Sequence, residues 1–140
     1  MAEKKVTEAE GNAYPNADNV VDLAFSVLRW RRFVRAVTRG YPGYFEEYIN
    51  EISYRATVEH ILTFLSGEFR AECHVLVGRI DKRFRRVTRL LDTRLWALDP
   101  DAGDLDIYYR FPRIVLTRIG EDVIRRGILP AEQVGLLGDA

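Results

Sequence analysis

The chain has 140 residues, 47% of them apolar and 30% charged, with 21 basic residues against 21 acidic ones. That balance excludes a disordered chain, which would be poorer in apolar residues and uneven in charge, and the length suits one domain. The single cysteine, Cys73, excludes an internal disulfide, and no apolar run nears the roughly 18 residues of a membrane span.

Residues 1–17 are polar, contain Gly11 and Pro15, and show no apolar period. They read as a mobile tail ahead of a single helical domain over 18–140. No apolar h-region is present there, so no secretory signal is expected and the cytoplasm is the expected compartment.

Asn16 or Asp18 can accept from the unpaired N–H groups that open a first helix. That helix is predicted over 20–38, because Val20, Leu23, Val27, Trp30, Val34 and Val37 recur at three- and four-residue steps. Gly40 and Pro42 end it. A second helix is predicted over 44–65, with Glu46 and Glu47 in its first turn, where they complement the helix dipole. A third is predicted over 68–91. Phe69, Cys73, Leu76, Ile80, Phe84, Val87 and Leu91 supply the cleanest helical period in the chain, and they place Cys73 in the core as a thiol. If some of that face were exposed, a homodimer would follow.

Beyond Leu91 the pattern changes. Residues 106–111 have the composition of a short strand or an extended segment crossing the bundle. One or two short helices follow, one from Thr117 to about Arg126 and one opened by Pro130. The expected fold is therefore all-α: a bundle of three long helices closed by a C-terminal extension.

Charge is segregated along this plan. The first helix carries Arg29, Arg31, Arg32, Arg35 and Arg39, and the third carries Arg79, Lys82, Arg83, Arg85, Arg86 and Arg89. The helix between them carries Glu46, Glu47, Glu51 and Glu59. The plainest account is mutual neutralisation, the two basic helices flanking and pairing with the acidic one. High genomic GC content in a bacterial source would produce the same arginine excess. The functional account is a basic surface for an acidic protein or, ranked below it, for nucleic acid on the basic face of residues 79–94, which Arg94 extends.

Several chemistries lack their residues. The acidic stretch from Asp99 to Asp106 fails the calcium-loop pattern, which needs Gly sixth and Glu twelfth where this chain has Asp104 and Arg110. Cys73, His74 and His60 are too few for zinc. No phosphate-binding glycine loop or serine-hydrolase elbow occurs, and no cofactor is expected.

Arg55-Ala56-Thr57-Val58-Glu59-His60 resembles the R-x4-6-H motif of the HEPN family of helical RNases. The resemblance covers six residues and the all-helical background. It implies that Arg55 steadies phosphate charge, that His60 acts as acid or base on a ribose 2′-hydroxyl, and that a dimer brings two copies together.

By exclusion the favoured reading is not an enzyme. It is a small helical protein of adaptor, antitoxin or immunity type that binds another protein, with no metal and no membrane. The expected contact residues are Arg79, Lys82, Arg83, Arg86 and Arg89 on the third helix, and Trp96, Tyr108 and Tyr109 in the extension, since Tyr and Trp beside Arg suit protein interfaces.

Overall fold

The structure, a computed structural model, describes residues 17–97, 100–103 and 105–135. The tail expected over 1–17 lies outside the described residues except for Ala17, which begins a helix. So do Asp99 and Asp104 of the acidic stretch.

Three long helices form the bundle, as the apolar periods require. They are α1 (Ala17–Arg39), α2 (Phe45–Leu62) and α3 (Gly67–Val87). Gly40 ends α1 at φ +102°. A side chain there would be strained and would meet Leu116 at 3.0 Å. The start of α2 is held from far away. Phe45 N–H donates to Asp122 Oδ2 at 2.9 Å, and Tyr44 N–H donates to Glu47 Oε1 at 2.8 Å. These carboxylates satisfy N–H groups that the helix itself leaves open.

The third helix is shorter than its apolar period predicts. It stops at Val87, and residues Thr88–Leu90 form a strand, β1, instead of a last helical turn. Two β-branched residues, Val87 and Thr88, sit at the switch, where helix propensity is weak. The Thr88 hydroxyl donates to the Phe84 carbonyl at 2.6 Å, and Arg113 N–H donates to the Val87 carbonyl at 3.0 Å. The extended segment expected near 106–111 is displaced as well. Ile107–Tyr109 make one turn of 3-10 helix, and the strand, β2, is Arg110–Pro112. It pairs antiparallel with β1, Arg89 opposite Phe111. Pairing with 88–90 gives each short strand the partner it needs.

Two short helices complete the extension, α4 (Thr117–Arg125) and α5 (Ala131–Val134), near the predicted positions. The extension packs on one part of the bundle. Phe111, Val115, Ile119, Val123, Leu129 and Val134 join Trp30, Phe33, Phe45, Tyr48 and Phe84 in the main core. A second, smaller cluster of Leu23, Val58, Ile61, Leu62, Leu65 and Val77 receives nothing from the extension.

Between the two clusters lies a polar layer. The Trp30 indole N–H donates to Asp81 Oδ1 at 3.0 Å. Arg55 grips the same carboxylate with two nitrogens, Nε to Oδ1 at 2.9 Å and Nη2 to Oδ2 at 2.9 Å. One carboxylate thus ties α1, α2 and α3 together at a single level.

Candidate functional site

Arg55 and His60 do not meet in a shared site. The Arg55 side chain is 5% exposed, and its remaining nitrogen Nη1 donates to Glu59 at 3.1 Å. Burial disfavours its charge, but Asp81 and Glu59 more than offset that and hold the guanidinium protonated. Each of its three nitrogens donates to a carboxylate, so the side chain is committed inside the bundle. His60 stands half-exposed elsewhere on α2, 3.3 Å from Asp101 and edge-on to the Phe64 ring. The motif resemblance therefore rests on an arginine committed to holding the bundle.

The expected contact residues also divide. Tyr108 is 5% exposed and belongs to the main core, so it leaves the surface set. The turn of 3-10 helix at 107–109 buries it where an extended chain would have alternated sides. Arg89 departs too, because α3 ends before it. It lies in β1 with its guanidinium 5.9 Å from the Phe111 ring. Trp96 is half-exposed, its ring 6.2 Å from that of Phe45, and Tyr109 is partly buried.

Arg79, Lys82, Arg83 and Arg86 remain exposed on α3. The expected neutralisation by α2 does not occur among the described residues. Glu47 accepts from Tyr44, Glu51 from the Tyr41 hydroxyl, Glu59 from Arg55, and Glu46 lies 3.8 Å from Arg126 of the extension. None of the arginines of α1 pairs with them. Instead Arg31 and Arg35 of α1 and Arg79 and Arg83 of α3 line one cleft of about 180 Å³, floored by Val34 and Ile80. No carboxylate lines it. Four cations this close repel one another, and burial of any of them would raise the cost.

No family model, curated protein or solved structure matches the chain.

The arginine cleft adjoins an apolar groove between the same two helices. Arg31, Arg79 and Ile80 belong to both. Beyond them the groove is lined by Leu23, Val27, Leu28, Phe69, Cys73 and Leu76 and encloses about 590 Å³. Cys73 packs against the smaller core cluster as expected of a core thiol, but it is only partly buried and also lines the groove wall. Burial and the neighbouring Glu72 push its thiol pKa up, which makes it a poor nucleophile near neutral pH. Periodicity alone could not find this groove. It locates apolar positions on a face but does not say whether a neighbour covers them. Among the described residues no group of three or more His, Cys, Asp or Glu side chains could hold a metal ion.

Proposed function

We propose that this chain acts by binding another protein through the face shared by α1 and α3. The observation that carries the reading is that the arginine cleft adjoins the apolar groove. A nucleic-acid surface would be basic and polar along its length, with phosphate contacts dominating. An apolar trough ending in unneutralised arginines instead suits an amphipathic protein helix that carries acid at one end. Leu28 and Leu76, both exposed on the groove wall, support the same reading, because a packed partner would cover them.

The test is capture on the tagged chain from a lysate of its source cells, with and without nuclease, beside the variant Arg31→Glu/Arg35→Glu. One stoichiometric protein is expected to survive nuclease. The variant should bind it about tenfold or more weakly, equivalent to roughly 1.4 kcal/mol. Its remaining binding should respond less to salt, because two screened contacts are gone. RNA recovered in place of protein, lost steeply as salt rises, overturns the reading.

A further inference from the structure

The exposed side of α3 carries a charge pattern that inverts about its own midpoint. Glu68, Glu72 and Val75 precede a point between residues 75 and 76, and Leu76, Arg79 and Arg83 follow it at matching separations. At about 100° per residue these six side chains form one stripe roughly 100° wide. All six are exposed, Val75 at 57% and Leu76 at 51%.

Within one copy these charges cannot serve each other. Glu72 and Arg79 are about 10 Å apart along the axis, beyond the three- or four-residue spacing that lets helix side chains pair. None of Glu68, Glu72, Arg79 and Arg83 has an ion-pair partner among the described residues.

We propose that α3 packs antiparallel against α3 of a second copy of this chain, about a two-fold axis passing between Val75 and Leu76. The proposal rests on the protein-binding reading above and assigns the α3 side of that face to a second copy. Glu72 then faces the partner's Arg79, and Glu68 faces the partner's Arg83. The symmetry repeats both contacts, giving four ion pairs around an apolar centre. Such a surface is self-complementary, as a two-fold interface must be. A parallel arrangement would set acid against acid and base against base, so the charges also fix the direction. Antiparallel helix dipoles oppose favourably.

An unrelated acidic protein fits less well, since it would confront Glu68 and Glu72 with like charge. A second copy meets both ends. It also covers apolar side chains that one copy leaves exposed: Val75 and Leu76 at the centre of the stripe, with Leu28 of α1 in the same groove wall as Leu76.

The test is the mass of the purified full chain, 16.2 kDa as a monomer, by sedimentation equilibrium. Two variants are compared: Arg79→Glu/Arg83→Glu, with an all-acidic stripe, and Glu68→Arg/Glu72→Arg, with an all-basic one. The native chain should be a dimer. Each variant alone should be a folded monomer by circular dichroism, and an equimolar mixture should recover a one-to-one dimer. Leu76→Glu should weaken the native dimer on the order of 30-fold, as loss of a central apolar contact does. A native chain that stays monomeric up to about 100 µM, far above the range of specific interfaces, overturns the proposal. So do variants that remain dimeric alone, or a mixture that stays monomeric. If the chain is monomeric but Arg31→Glu/Arg35→Glu still strips a nuclease-resistant protein, only the self-pairing falls and the protein-binding reading stands.

Discussion

Arg55 and Asp81 show how a side chain singled out for chemistry can be consumed by structure. A partly buried carboxylate that accepts from Trp30 and from two nitrogens of Arg55 is satisfied only while all three helices are in place. Removing Arg55 leaves Asp81 partly buried with one donor. Arg55→Ala should therefore cost about 3 kcal/mol and lower the melting temperature by roughly 10 °C. His60→Ala, at an exposed position, should stay within about 0.5 kcal/mol. Thermal melts of the two variants check the contrast. The spacing of Arg55 and His60 was legible in the sequence, but the engagement of Arg55 was not. Asp81 lies 26 positions downstream, and no local rule links them. Asp122, by contrast, is fully buried and has a measurable signature. Burial alone would raise its pKa, but the Phe45 N–H, then Arg126 and Arg125, lower it below the ordinary carboxylate value. A depressed folded pKa means stability that is present above the unfolded value of about 3.9 and is lost as pH falls through the folded one. Asp122→Asn should be less stable at neutral pH and show a shallower loss below about pH 4, read by urea unfolding across that range.

At the scale of elements, the three helices were legible because each carries a long period of three and four. Their ends were less so. The start of α4 could be read from Thr117 and the end of α1 from Gly40, since a turn at positive φ selects glycine. Gly40→Ala should destabilise by more than about 1 kcal/mol, because it adds backbone strain and pushes a methyl toward Leu116. Chemical denaturation gives that difference directly. The end of α3 was missed, for the apolar period runs on through Leu91 while the backbone changes to β1 at Thr88. What overrides the period is a tertiary partner, β2, whose pairing no reading of 88–91 alone could supply. The same event moves Arg89 from a supposed contact surface to the Phe111 ring.

For the whole molecule, the polar layer of Trp30, Arg55 and Asp81 marks where two different cores meet. One is aromatic and capped by the extension; the other is aliphatic and borders the apolar groove between α1 and α3. Charge segregation was legible as composition along the chain. Its meaning was not, because neutralisation depends on which side chains touch, and the carboxylates of α2 turned out to be engaged locally or with the extension. The apolar groove and the arginine cleft share Arg31, Arg79 and Ile80, and the charge pattern of α3 includes Arg79 and Leu76, so both proposed interactions fall on the α1–α3 side. The hydrogen bond from Phe45 to Asp122 reaches further than the folded state. The two residues are 77 positions apart, so a growing chain on the ribosome makes α2 long before the carboxylate that caps it exists. Until residue 122 has been added, the Phe45 N–H lacks the carboxylate that accepts from it. The order of synthesis thus favours completion of the main core in a single late step, and a nascent chain stalled earlier would be the form most in need of a chaperone.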